Sequence, residues 1–405
     1  MATLKRIVKL EQFVKAPVPQ VYRAFTNSTA LREWMGDFAT LEAKPGGRVY
    51  IWWQNGYYIS GEFVSLEADK QISFTWQGRG EPRPTQVIVN FKSTRNGTLV
   101  RLTHRGIGAG KAWSSTPEIF ATEWQNSLQN LASVVGEGPD LRVTQRPMLG
   151  IALSDFNADI AKKLGVPVQD GIRLDGVIDG MGAKQAGLQK DDVLVEFAGH
   201  EIVDFSSLGN AVRDKKAGDT IAVVFYRGSE KIKTDLTMSG RPIPVIPSSL
   251  ADLSAEVGKA YAQAESQFAA FIDGVTDQEA TKKPAPEEWS IKEVMAHLIH
   301  SERGWQNAIS EIAGGFEASY DGFGGNLDGR NQATIQAFPT LADLAAEWKR
   351  LNTETVALLA YLPEEFFQRK SSYWRLAYQC LYFPTHFFTH LEQMQAALKI
   401  ARKAV

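Results

Sequence analysis

His386 and His390 stand four residues apart in FPTHFFTHLEQMQ, and His297 lies in WSIKEVMAHLIHSE. On an α-helix, an HxxxH spacing projects both imidazoles from one face, one turn apart. A third imidazole from a neighbouring helix completes a three-histidine set of the kind built inside helical bundles. Imidazole nitrogen suits a borderline divalent ion, zinc or nickel first, with iron or manganese also accommodated. A site with three protein ligands leaves positions open for water or a thiol, whose pKa the ion would lower. An HxxxH pair by itself is equally compatible with packed or surface histidines. Gln393 follows on the same face, His300 lies one turn beyond His297, and Cys380 precedes His386 by six residues. As a lone thiol, Cys380 reads as a small buried hydrophobe. No general acid, base or nucleophile can be assigned, and the chain has no GxSxG and no HExxH.

The elements that must hold these histidines have a period of 3.6. One helix is expected over 249–272. A second starts at Ser290, whose pairing with Glu293 fits a capping box, and runs to about 312. A third starts at Thr340, paired with Asp343, and stops before Pro363. A fourth covers about 383–401, with Pro384 in its first turn, where a missing amide is harmless. The stretch 314–332 reads as a long Gly-rich loop. With WSIKEVMAHL and HFFTH in these places, the segment resembles the DinB-like superfamily, which includes metal-dependent thiol transferases. The resemblance implies His297, His386 and His390 as ligands of a divalent metal, and metal-assisted transfer of a small thiol as an activity.

Residues 145–240 contain no Trp and are rich in Val, Ile, Gly and Asp. PMLGIAL, GIRLDGVIDG, VLVEFAGHEI and TIAVVFYRGSEKIKTDLTM alternate as strands, and FSSLGNAVRDKKAG reads as a helix. The order of these words, with AKQAGLQKDDVLVEFAGHEI at the centre, resembles a bacterial PDZ domain. Asp191 occupies a turn position where that family usually has Gly. The resemblance implies a carboxylate-binding loop at Met148, Leu149, Gly150 and Ile151. It also implies a groove whose specificity comes from Leu208 and Val212, and a protein C-terminus or extended peptide as partner.

Residues 1–138 carry short β-branched and aromatic runs at 48–54, 57–67, 71–77, 85–93 and 97–105. They are flanked by a short helical pattern at 17–27 and a longer one at 118–136. VKAPVPQVYRAFTNSTALREWMG, KPGGRVYIWW and GTLVRLTHRGIG resemble the SRPBCC (START-like) superfamily, in the branch of the heat shock protein 90 ATPase activator homologue. That resemblance implies a helix-grip fold, an apolar cavity lined by Trp34, Trp52, Trp76 and Trp124 with Trp53 and Trp113 nearby, and an apolar small molecule as ligand. Packed core is the alternative for each Trp. His104 ends a strand with no carboxylate close in sequence, which reads as a structural histidine.

The expected fold class is therefore multidomain α+β. It comprises a START-like helix-grip domain over 1–138, a PDZ β-barrel-like domain over 145–240 and an all-α four-helix bundle over 249–405. Proline-rich or polar stretches separate them at 137–147 and 240–249. The 405 residues, 44% apolar and 22% charged, suit several soluble cores. A net charge of −2 argues against nucleic acid as partner. One cysteine, no h-region at the start and no long apolar run point to a cytoplasmic protein with no membrane span. Two functions follow: a stress or detoxification enzyme, or a ligand-sensing, adaptor or chaperone-accessory protein without catalysis. A homodimer fits either.

Overall fold

The structure is a computed structural model that describes residues 6–108, 110–113, 116–213, 215–316 and 327–403. It divides into two compact units, Met1–Asp140 together with Pro244–Val405, and Leu141–Ile243.

The first unit begins with an antiparallel seven-stranded sheet: β1 Arg6–Val14, β2 Phe38–Leu41, β3 Arg48–Trp52, β4 Tyr58–Glu67, β5 Gln71–Gly78, β6 Thr85–Thr94 and β7 Gly97–Ile107. Their order is β1-β7-β6-β5-β4-β3-β2. Apart from the β7–β1 closure, each strand pairs with its chain neighbour, which the closely spaced turns favour. Alternation along the strands sets an inner face, with Val87, Val89 and Phe91 on β6 and Val100, Leu102 and His104 on β7 all buried. The helix Thr116–Gly136 covers that face with Phe120, Trp124, Leu128, Leu131 and Val134, which recur at helical spacing.

The same unit contains four long helices, Leu250–Ile272, Ile291–Gly314, Leu341–Ala360 and His386–Lys403. Two start at the capping boxes legible in the sequence. The Ser290 and Thr340 hydroxyls accept from the Glu293 and Asp343 amides, and the carboxylates reach back to the cap amides. Pro384 sits in the 3-10 turn Phe383–Thr385, which aims the last helix.

Among the helices not expected, two bear on the helical region. Leu327–Ala337 overlaps the end of the stretch read as a loop; of that stretch, 317–326 lies outside the described residues. Lys370–Tyr382 is helical despite its β-favouring aromatics, because Tyr373, Trp374, Leu376, Ala377 and Cys380 share one buried face. That helix also ties the sheet region to the helical region. Ser371 and Ser372 donate to the buried Glu33 carboxylate, and the Lys370 ammonium donates to the Gly136 carbonyl.

The second unit has an antiparallel sheet running from Glu230–Thr237 through Thr220–Arg227, Val193–Phe197 and Ile172–Val177 to the edge strand Ile151–Ser154. Its helix Phe205–Val212 begins at a capping box between Asp204 and Ser207. Asp191 adopts φ +70°, the left-handed conformation for which glycine is the usual choice.

Candidate metal centre

His297 is carried by the helix Ile291–Gly314, and His386 and His390 by the first turns of His386–Lys403. The structure brings all three together. One ligand nitrogen from each lies within 4.8 Å of the others. Ring centres are 4.6 Å apart for His386 and His390, 4.9 Å for His297 and His390, and 5.3 Å for His297 and His386.

The nitrogens are oriented by their neighbours. Nδ1 of His390 lies 2.9 Å from Oε1 of Gln393, an oxygen that can only accept. Nδ1 therefore carries the proton, and the Nε2 lone pair faces the cluster. Nε2 of His386 is 2.9 Å from that Nε2. Nδ1 of His297 is buried with no hydrogen-bond partner, while its Nε2 is 3.5 Å from the Ser301 hydroxyl. The Trp289 ring, 5.0 Å away, covers one side.

Burial, then the neighbouring His390, His386 and His300, hold His297 at about 4. Burial and His390 lower His386 as well. Neutral imidazoles are the form that binds metal. Two rings held neutral, a third oriented by Gln393 and an orphaned buried nitrogen fit a divalent ion bound by nitrogen at about 2.0–2.1 Å.

His300, lowered by burial and by Arg330 and Arg303, is not part of the set. Cys380 is fully buried within the apolar cluster of Tyr261, Phe366, Tyr373 and Leu376, and burial pushes its thiol up. Glu302 lies on the same helix as His297. It is a buried carboxyl that accepts from the hydroxyls of Tyr261 and Thr355. The signal available was an acid in the otherwise apolar stripe that includes Val294 and Leu298.

In the other unit, Leu149, Ile151, Leu208 and Val212 join one apolar cluster, with Leu208 fully committed to it. Met148 pairs with Ser239, in a short strand separate from the larger sheet. Gly150 has φ +79°, and a Cβ there would sit 2.3 Å from Cβ of Met181. The loop carbonyls of Leu149 and Gly150 accept from Ala183 and Ile178. Among the described backbone hydrogen bonds, the amides of Leu149 and Gly150 donate to none. The strand Ile151–Ser154 has one neighbour, leaving its outer edge open among the described residues.

The four tryptophans expected around a cavity do not line one space together. Trp34, Trp76 and Trp124 are buried, but only Trp124 borders the space left between sheet and helix, which measures about 10 Å³. Trp34 packs on Phe25 and donates to the Ala24 carbonyl, and Trp76 packs on Trp124. Trp52 alternates with the buried Ile51 and so points to the opposite face of the sheet, where Phe38 and Tyr58 flank it in register. Trp113 is buried and Trp53 half-buried. His104 is structural. Trp124 donates to its Nδ1 at 3.1 Å, Thr85 contacts Nε2 at 2.7 Å, and Phe120 stacks on the ring.

Fold and sites together define a chain of three modules: a START-like sheet-and-helix domain, a PDZ domain and a DinB-like helical region. Three family models match accordingly. The model for Activator of Hsp90 ATPase homolog 1-like proteins matches residues 15–136, the PDZ domain model 147–238, and the DinB superfamily model 260–394, a span that includes all three histidines.

Among solved structures, an HSP90 activator from Plasmodium falciparum is 28% identical, covering 32% of this chain and 96% of that one, with TM-score 0.29. The Aha1 dimer from Colwellia psychrerythraea is 19% identical, with coverage of 32% and 96% and TM-score 0.28. Among curated proteins, a probable periplasmic serine endoprotease DegP-like from Marinomonas sp. is 28% identical over 185 residues, 45% of this chain and 38% of that protein. A probable periplasmic serine protease do/HhoA-like from Haemophilus influenzae is 29% identical over 148 residues, 35% of this chain and 31% of that protein. The chain thus spans about a third of the length of these two relatives. No helix among the described residues is long and apolar enough to cross a membrane.

Proposed function

We propose that the helical region is a divalent-metal centre held by His297, His386 and His390, and that it supports transfer of a low-molecular-weight thiol to an electrophile. One observation carries this reading: three ligand nitrogens from two helices within 4.8 Å of one another, one of them fixed by Gln393. A bound ion would supply Lewis acidity and a lowered pKa for a coordinated thiol or water. The chain's own part is to present three imidazole nitrogens and to orient His390 through Gln393. Trp289 and the buried apolar residues of the bundle keep one side dry. A detoxification or stress role in a reducing cytoplasm follows from thiol chemistry and from the lone, buried Cys380.

The test is metal analysis of the purified full-length chain after exposure to excess Zn²⁺ or Ni²⁺, beside a variant with all three histidines changed to Ala. About one ion per wild-type chain and none in the variant is the expected result. Equal, negligible uptake by both would remove the proposal. Thiol-conjugation assays with model electrophiles then separate an enzyme from a binder.

A second reading applies to residues 141–243. The open edge of Ile151–Ser154 and the undirected amides of Leu149 and Gly150 favour capture of a peptide C-terminus as an added strand. If the metal centre proves inert, that groove would make the chain an adaptor, with the START-like domain as its accessory. An apolar ligand inside the START-like domain would require its packed interior to open, since the present space is about 10 Å³.

A further inference from the structure

Glu302 is 1% exposed and sits on the helix that also carries His297. Its Oε1 accepts from the Tyr261 hydroxyl at 2.8 Å and from the Thr355 hydroxyl. Two donors on one oxygen fix the carboxyl group's orientation, and none of the described hydrogen bonds uses Oε2. Glu302 lines a cavity of about 10 Å³ together with His386, with Leu298, Trp348 and Phe387 as apolar neighbours. A cavity of that size holds about one water, and a water stays only where it finds two or more polar partners. Glu302 and His386 carry such partners, and Tyr261 lines the same wall.

His386 needs such a partner. Its Nε2 lies 2.9 Å from Nε2 of His390, among the candidate ligand nitrogens. To bind an ion through Nε2 it must carry its proton on Nδ1, because a neutral imidazole holds a single proton. Among the described hydrogen bonds none uses Nδ1 of His386. An acceptor on that side would favour the ligating tautomer, as carboxylates behind metal-bound histidines do in general.

We propose that Glu302 is a positioning residue of the metal centre, holding His386 in its Nδ1–H tautomer through one water in this cavity. Nδ1–H donates to the water oxygen, and the water donates to Oε2 of Glu302. The inference rests on the metal-centre reading and adds to it the residue that selects the tautomer of one ligand. Gln393 does the same for His390 directly, so the two histidines of the HxxxH pair would be oriented by different devices.

The test is Glu302→Gln in the full-length chain, titrated with Co²⁺. The amide is isosteric and keeps Oε1 for Tyr261 and Thr355. Its NH₂ faces the cavity, so the water must accept from it and then donate to Nδ1, which favours the tautomer that cannot bind through Nε2. The expected result is a Co²⁺ affinity lower by about 10–100-fold and an altered visible Co²⁺ spectrum, with an unchanged melting temperature. Tyr261→Phe, which removes one of the donors that turn Oε2 toward the cavity, should shift affinity in the same direction by less. Wild-type affinity and spectrum in Glu302→Gln would overturn the inference while leaving the metal centre intact. No Co²⁺ binding by the wild type would instead overturn the metal-centre reading, and this inference with it.

Discussion

Oε1 of Gln393 lies 2.9 Å from Nδ1 of His390, three residues back along the same helix. This contact leaves Nε2 of His390 as a free lone pair aimed at His386 and His297. Gln393→Leu removes the acceptor and lets His390 take either tautomer. Zn²⁺ affinity should fall by about tenfold, the low end for loss of a ligand's orienting partner. His386→Ala removes a ligand outright and should cost far more. Calorimetric titration of the two variants checks the order; equal losses would mean that Gln393 binds the ion itself or that the site is elsewhere.

The histidine set was legible because helical spacing and capping residues are local. Ser290 with Glu293, and Thr340 with Asp343, mark helix starts to the residue, and the fixed helix starts then place His297. The role of Glu302 was not legible. Its place in the apolar stripe with Val294 and Leu298 marks it as inward, but its partners Tyr261 and Thr355 come from two other helices that the sequence does not place beside it. The faces of the tryptophans were not legible for a different reason. Composition gives their number but not their face. Trp52 follows Ile51, and once Ile51 is inward the two-residue period turns Trp52 outward. The helix Lys370–Tyr382 had its signal in the spacing of Tyr373, Leu376, Ala377 and Cys380, masked by the β-favouring aromatics between them.

In the PDZ unit, peptides ending in a free apolar carboxylate should bind, and amidating that terminus should weaken them, because the loop amides then lose a charged acceptor. Gly150→Ala tests the loop itself. Its φ of +79° and the 2.3 Å approach to Cβ of Met181 leave no room for a methyl group. Peptide affinity should fall by about tenfold or more, corresponding to about 1.4 kcal/mol. A C-terminal peptide library giving no binders to the full-length chain would remove the groove reading.

Asp191 lies in the same unit at φ +70°, and its amide donates to the carbonyl of Leu174 in the strand Ile172–Val177. Gly meets this conformation without the Cβ penalty. Asp191→Gly should therefore stabilise the unit by about 0.5–1 kcal/mol, with the greater chain entropy of Gly limiting the gain. Denaturant unfolding of the two proteins decides it. A lower midpoint for the variant would show that the 3.8 Å ion pair of Asp191 with Arg173 outweighs the strain.

His104 sets a pH dependence for the START-like domain. Burial lowers it from 6.5 to about 3, so the folded chain keeps it neutral while the unfolded chain protonates it. Its stabilising contribution is complete above about pH 6.5 and is lost as pH falls toward 3, at no more than about 1.4 kcal/mol per pH unit. His104→Gln should flatten the dependence of unfolding free energy on pH between 4 and 6, at the cost of lower stability at pH 7. An unchanged slope would mean that other groups govern acid unfolding.

The interior of that domain supplies the last prediction. Phe63 is 2% exposed and borders the space of about 10 Å³ between sheet and helix, together with Phe25, Phe74 and Trp124. A drug-sized ligand needs about 300 Å³ or more, so the wild-type interior has to unpack before one can enter. Phe63→Ala makes the opening permanent and should cost about 3–5 kcal/mol. The new void is apolar and enclosed, the kind that stays dry and takes up small aromatic compounds. Benzene-sized ligands should then raise the melting temperature of the variant, because they bind only its folded state, and leave the wild type unmoved. Thermal denaturation of both proteins with a panel of small aromatics reads the difference. A shift of equal size in the wild type would mean that sheet and helix separate readily in solution. The domain would then bind apolar compounds as the helix-grip resemblance implies, with Trp124 at the entrance and the Phe63 side chain displaced rather than absent.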